Sequence, residues 1–145
     1  MIDELGLPRL EIALRKFPDL IFIGHSQPFW GEISADVTDQ TRNGYPKGKV
    51  VPGRVPELLR KYPNMYGDMS AGSGFNAVSR DPEFGYAFME EFQDKLLFGT
   101  DICAPTNETP LPYYLREILA AGKISKAAYE KITWQNANRL LGLGL

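Results

Sequence analysis

Residues 96–101 read Leu96-Leu97-Phe98-Gly99-Thr100-Asp101. Four strand-like apolar residues run into a glycine that allows close backbone approach, and a hydroxyl and an acid follow. A carboxylate at the end of a buried strand is costly unless it meets a cation, a metal or a hydrogen-bond network. The fold therefore turns on what else in the chain is arranged to meet Asp101.

The same rhythm occurs twice upstream. Leu20-Ile21-Phe22-Ile23 is a continuous apolar run, as expected for a parallel strand covered on both faces, and it ends in Gly24-His25-Ser26. Met65-Tyr66-Gly67-Asp68-Met69-Ser70 is a second strand, followed by Ala71-Gly72-Ser73-Gly74 as a tight loop. Each strand follows a helix. The first is opened by Pro8 and carries Leu7, Leu10, Ala13, Leu14 and Phe17 on one face, with Pro18-Asp19 as its stop. The second runs from about Pro56 to Tyr62 and stops at Pro63-Asn64. The third is capped by Asp81-Pro82 and bears a Phe84, Phe88, Phe92 stripe. Leu14-Arg15-Lys16-Phe17-Pro18-Asp19-Leu20 also echoes Leu59-Arg60-Lys61-Tyr62-Pro63-Asn64-Met65 at an offset of 45 residues. The echo reads as shared mechanics, a short turn that uses proline to end the helix.

Beyond Asp101 comes a loop over 102–109. Thr109-Pro110 then caps a helix that Gly122 ends, Ser125 caps a short helix through Ile132, and Thr133 caps the last, Trp134 to Leu141. Residues 26–52 are long, polar and rich in glycine and proline, with turn chemistry at Asn43-Gly44-Tyr45-Pro46, and read as a lid or binding loop. Strands alternating with helices predict an α/β fold with parallel strands, then C-terminal helices.

Bulk composition limits the function classes. The 145 residues are 43% hydrophobic and 23% charged, which suits one soluble globular domain with a real core. A formal net charge of -2 leaves no basic footprint, so no nucleic-acid partner is expected. No apolar run nears the ~20 residues of a membrane span, and Met1-Ile2-Asp3-Glu4 lacks the basic opening of a signal peptide. The single cysteine, Cys103, forbids an internal disulfide and fits a reducing cytoplasm. There is neither a dinucleotide fingerprint nor a P-loop.

In a parallel α/β sheet the active site lies at the carboxyl ends of the strands. Three strands here end in His25, Ser70 and Asp101, and the echo places His25 on Ser70 and Ile23 on Asp68. Asp68 is then expected on the face of Ser70, one layer deeper. Each residue also has a plainer reading. His25 is structural or surface-exposed, Asp101 caps the turn that follows it, and Asp68 is a buried acid bonded to backbone or a neighbouring strand. Ser70 is a small residue that lets a loop approach. Cys103 is a small buried hydrophobe or a metal ligand at Asp-x-Cys spacing. Phe29 and Trp30 either line a pocket, with Tyr45, or pack under the long loop.

At these residues the chain resembles the amidohydrolase-related family of metal-dependent TIM-barrel hydrolases and decarboxylases. Gly24-His25-Ser26 and Phe98-Gly99-Thr100-Asp101 are similar to the ends of that family's sixth and eighth strands. Leu7-Pro8-Arg9-Leu10-Glu11 with Phe17-Pro18-Asp19-Leu20 resembles its fifth helix and the approach to the sixth strand. Glu130-Lys131-Ile132 through Asn136-Ala137-Asn138-Arg139-Leu140-Leu141-Gly142-Leu143 resembles its closing helix.

The resemblance covers nearly all of residues 1–145 and implies the last three β/α units of a partial TIM barrel. It implies Asp101 and His25 as metal ligands and catalytic groups, acting on metal-activated water, with a divalent metal, zinc first, as cofactor. The implied reaction is hydrolysis of a C–N or C–O bond, or nonoxidative decarboxylation, of a small molecule. Phe29, Trp30 and Ser70 would line the substrate.

The family's strand-one His-x-His and strand-five histidine have no counterpart in a chain with one histidine. A complete barrel takes ~250 residues. The expectation is therefore a C-terminal portion in which Met1 is an internal methionine. It would be inactive alone and completed by a missing N-terminal part or by homo-oligomerisation. The competing expectation is a stand-alone α/β module that binds a ligand or partner without catalysis.

Overall fold

The computed structural model describes residues 3–145; Met1 and Ile2, and with them the start of the acidic opening, lie outside the described residues. Three strands form one parallel sheet in the order β1-β2-β3. Here β1 is Phe22–Gly24, β2 is Met65–Asp68 and β3 is Leu96–Leu97. Helix α1, Pro8–Lys16, precedes β1, and α2, Ser26–Gly31, follows it. Helix α3, Arg54–Lys61, leads into β2, and α4, Ala71–Ser79, and α5, Pro82–Glu91, lie between β2 and β3. Helix α6 is Leu111–Ala120. Helix α7, Lys126–Glu130, then runs through a wide π-helical turn, Lys131–Gln135, into α8, Asn136–Leu141.

The αβ turns are clamped by side-chain amides. Asn64, buried at the start of β2, donates through Nδ2 to the carbonyls of Leu14, Phe17 and Leu20 at 3.2, 3.0 and 3.1 Å. One amide thus gathers the end of α1 and the lead-in to β1. Asn136 acts likewise on β3, donating to the carbonyls of Gln93 and Leu96 at 2.7 and 2.8 Å. The Phe98 N–H donates to the Ile132 carbonyl at 3.0 Å, so the C-terminal helices cover the outer edge of β3. Edge groups left bare invite pairing with other chains.

The core lies between β2 and its helices. Met65, Met69, Leu96, Val55, Leu58, Leu59, Val78 and Met89 are almost fully buried. The phenylalanine stripe of α5 packs as expected: Phe84 stacks on Phe88 at 5.7 Å, Phe88 meets Phe92 at 4.9 Å, and Trp30 crosses Phe88 edge-on at 6.3 Å.

Several local expectations are corrected. Strand β1 is not covered on both faces: Leu20, Ile21 and Ile23 are 56%, 44% and 49% exposed, and β1 also has no neighbouring strand on its outer side among the described residues. Residues 26–52 are not one open loop. They begin as α2, and the remainder closes on itself, with Ala35 N donating to Val51 O at 2.8 Å and Gly53 N to Ile33 O at 2.9 Å. Gly53 sits where a side chain would lie 2.6 Å from the Ser34 backbone, so the two ends can touch only at a glycine.

Residues 71–74 are the first turn of α4 and not a loop. A Cβ on Gly74 would lie 2.2 Å from the Met69 carbonyl oxygen, so glycine lets the helix start flush against β2. Asp81 stands at the cap position of α5 but spends its carboxylate elsewhere, accepting from Lys49 Nζ and Val50 N, each at 3.0 Å. Pro110, not Thr109, is the residue at the start of α6. Ser125 does cap α7, accepting from Ala128 N at 3.1 Å. Thr133 caps nothing: it lies inside the π turn and donates to Tyr129 O at 2.7 Å. Cys103 is exposed and not a buried hydrophobe, beside Asn107 on the 98–110 loop.

Candidate functional site

Parallel strands bring three chain segments to one end of the sheet. The register pairs Phe22 with Met65 and Gly24 with Gly67, an offset of 43 residues. Continued by one residue, it sets His25 level with Asp68, not with Ser70 as the 45-residue echo suggests. The two offsets describe different things. Residues 25–26 and 70–71 make the same turn into a helix, with Ser26 at φ 73° and Ala71 at φ 59°. The strands themselves are shifted by two residues.

Non-glycine residues in the left-handed region are uncommon and costly, and they concentrate at functional sites. Asp101, at φ 54°, is another, so each of the three loops leaving the sheet holds such a residue.

Each site side chain is placed by its neighbours. Strand β1 ends at Gly24, where a Cβ would lie 2.2 Å from the Phe29 ring, so α2 folds back tightly and presents His25 at the rim, 39% exposed. Asp68, the last residue of β2, is pinned on both oxygens. Ser70 N donates to Oδ1 at 2.8 Å, and Ser70 Oγ donates to Oδ2 at 2.7 Å. His25 Nδ1 lies 3.0 Å from Oδ2 and 3.3 Å from Ser70 Oγ. The Asp68 main chain is held too, its carbonyl accepting from Trp30 Nε1 at 2.8 Å. A Cβ on Gly99 would lie 3.0 Å from Ser70 Cβ, tighter than an ordinary contact, so glycine eases the close pass of the chain by Ser70 toward Asp101.

The chemistry follows from the tautomer. A carboxylate only accepts, so His25 donates Nδ1–H to Asp68, and in the neutral imidazole Nε2 is the nitrogen with the lone pair. That nitrogen faces Asp101 Oδ2 at 3.8 Å, beyond hydrogen-bonding distance, with Asp101 54% exposed. A basic nitrogen and a carboxylate thus face each other across a gap open to solvent. A water or substrate atom between them can exchange a proton with either.

The other expected site residues lie as follows. Ser70 is buried beneath Asp68 and His25. Trp30 is buried under the loop against β2. Phe29 is buried except where it joins Leu7, Leu10 and Pro28 in walling a cavity of about 350 Å³ beside His25. Tyr45 reaches the rim, accepting from Gln27 Nε2 at 3.1 Å, and lies over Gly72.

Sequence reasoning did not single out Asp68 as the partner that orients His25. Counting pairs from the aligned glycines, Gly24 with Gly67, would have found it.

His25 and Asp101 alone do not fit a metal centre. A catalytic zinc is usually held by about three protein side chains. Among the described residues no cluster of His, Cys, Asp or Glu is placed to hold a metal ion. Nδ1 of His25 is committed to Asp68, so this chain offers one imidazole nitrogen and one carboxylate.

A family model described as amidohydrolase matches residues 3–143. No curated protein and no solved structure matches the chain.

Proposed function

The chain belongs to the amidohydrolase family, and from that premise we propose that it forms the last three β/α units of a (β/α)₈ barrel that hydrolyses a C–N or C–O bond in a small molecule. The observation that carries the reading is the His25 Nε2–Asp101 pair at 3.8 Å, oriented by Asp68, at the carboxyl ends of parallel strands. Active sites of such barrels are built at that end. In this reading His25 polarises the substrate or holds the attacking water, and Asp101 takes and returns its proton. The same pair serves a nonoxidative decarboxylation, where it would deliver a proton to the carbon that loses CO₂.

The family is generally metal-dependent. The further ligands that zinc or another divalent ion would need come, in this proposal, from barrel strands outside these residues. Two features support the need for a partner: the outer edge of β1, unpaired among the described residues, and the exposed Ile12, Phe17, Leu20, Ile21 and Ile23. An N-terminal barrel portion, or a second copy of the chain, would cover them. The exposed, unpaired Cys103 suits a reducing, cytoplasmic setting.

The test is zinc stoichiometry by equilibrium dialysis, with turnover of a panel of esters, lactones and amides and CO₂ release from aromatic acids, on the chain alone and on the chain supplied with the first five β/α units of a family member. The expected result is neither tight zinc nor turnover in the monomer, and, in the complemented protein, activity that Asp101→Ala and His25→Ala abolish. Stoichiometric zinc with turnover by the monomer overturns the shared-site reading. Complemented activity indifferent to Asp101 overturns its role.

A further inference from the structure

Away from the His25 site, two arginines carry guanidinium nitrogens that are buried without hydrogen-bond partners among the described residues. Arg80 stands at the end of α4, and its Nε and Nη2 are buried and make no hydrogen bond among the described residues. Arg42, 4% exposed, has the same two nitrogens unbonded, and its one side-chain contact is a long 3.4 Å approach of Nη1 to Asp39 Oδ1. A buried cation without compensation is expensive, and a buried donor left unpaired costs its full desolvation. Burial pushes the Arg80 guanidinium below its ordinary value, with the charges of Asp36 and Asp81 acting the other way. Asp81 makes no hydrogen bond to it; its carboxylate accepts from Lys49 and Val50.

Arg80 borders a cavity. A space of about 320 Å³ is walled by Gly31, Asp36, Thr41, Pro46, Lys47 and Arg80. Arg42 follows Thr41, and its backbone lies against Gly31, 3.3 Å from where a Cβ there would be. The surrounding segment is held in shape. Asn76 Nδ2 on α4 donates to the Pro46 carbonyl at 3.1 Å, and the Thr38–Thr41 turn is closed by Thr41 N donating to Thr38 O at 3.1 Å.

We propose that this cavity is a binding site for a small oxyanion, a carboxylate or a phosphate, held by the guanidinium of Arg80 and the ammonium of Lys47. An oxyanion in the cavity supplies an acceptor to a guanidinium that makes no hydrogen bond among the described residues, and hydrogen bonds between arginine and carboxylate or phosphate are the strong, charge-assisted kind. Asp36 shares the wall and opposes the anion, which limits affinity and gives the idea a signed test. The site is independent of the hydrolytic reading, because none of its residues belongs to the His25–Asp68–Asp101 set.

The experiment is calorimetric titration of inorganic phosphate, and separately of succinate, into the 145-residue chain at fixed ionic strength, with chloride as the control. The expected result is one saturable site for at least one probe, the two arms separating phosphate from carboxylate recognition. Arg80→Gln should weaken it about 10- to 100-fold, the size expected for charged hydrogen bonds. Lys47→Gln, at an exposed position that tolerates change, should weaken it less, and Asp36→Asn should tighten it. Saturation by neither probe overturns the proposal. So does unchanged affinity in Arg80→Gln, or, should that variant unfold, unchanged affinity in Lys47→Gln and Asp36→Asn.

Discussion

Replacing Asn64 tests whether a single amide holds the approach to His25. Its Nδ2 serves three carbonyls, those of Leu14, Phe17 and Leu20. Two hydrogens make at most two good bonds, so Asn64→Ala strands two buried or half-buried carbonyls. At about 1–3 kcal/mol for each unsatisfied group, the loss is about 2–6 kcal/mol. Against a total stability of about 5–15 kcal/mol that is a large share. At about 2–4 °C per kcal/mol for a chain of this size, the melting point should fall by about 4–24 °C. Asn64→Asp keeps the volume and leaves no cavity, yet at pH 7 it turns an acceptor toward those carbonyls at the negative end of the α1 dipole. It should therefore be the worse of the two. The assay is urea unfolding followed by circular dichroism, with hydrogen exchange at Phe22, whose N–H donates to the Asn64 carbonyl at 2.9 Å, as the local readout. A stability for Asn64→Asp equal to or above that of Asn64→Ala at pH 7 would refute the reasoning. So would a loss of under about 0.5 kcal/mol in Asn64→Ala, the scale of an ordinary surface substitution.

Three further outcomes are expected. Glu11, bonded by Lys61, then Tyr62, and facing Arg54, is lowered to about 2. A depressed acid stabilises the fold above its unfolded value of 4.5 and loses that contribution as pH falls toward 2, so the wild-type melting point should drop across that window and Glu11→Gln should flatten the drop. Gly74→Ala places a methyl 2.2 Å from the Met69 carbonyl and should cost at least about 1–3 kcal/mol in urea unfolding, whereas Gly44→Ala, whose nearest neighbour is at 3.5 Å, should be close to neutral. In Asp68→Ala, His25 loses its acceptor. Because His25 is the only histidine, its ¹⁵N imidazole shifts should move without ambiguity from an Nδ1-protonated pattern toward that of free imidazole, and an unchanged tautomer would contradict the proposed orientation.

Most helices and the succession of strands along the chain were readable because their signals are local, whereas α2 and α4 were read as loop. Proline at a helix start, an apolar stripe at helical spacing and glycine after the last turn act within a few residues, so α1, α5, α6 and the Gly122 and Gly142 stops could be placed from the chain alone. The carboxyl-end location of His25 and Asp101 was readable for the same reason: each follows a short apolar run. Boundaries suffered where tertiary packing overruled propensity. Gly72 and Gly74 look like a loop until Met69 and Tyr45 are pressed against them. Thr133 looks like a cap until the π turn draws it into a longer helical run.

What the chain alone could not decide is register, because hydrogen bonding between strands is set by packing partners far apart in sequence. The 45-residue echo recorded a repeated turn, and the sheet chose 43. That two-residue difference makes Asp68, and not Ser70, level with His25, and so determines which nitrogen of His25 is left facing Asp101. The strand-end carboxylate of Leu96–Asp101 was visible in the sequence; the imidazole that confronts it, and the acid that aims that imidazole, exist only once the three strands lie side by side.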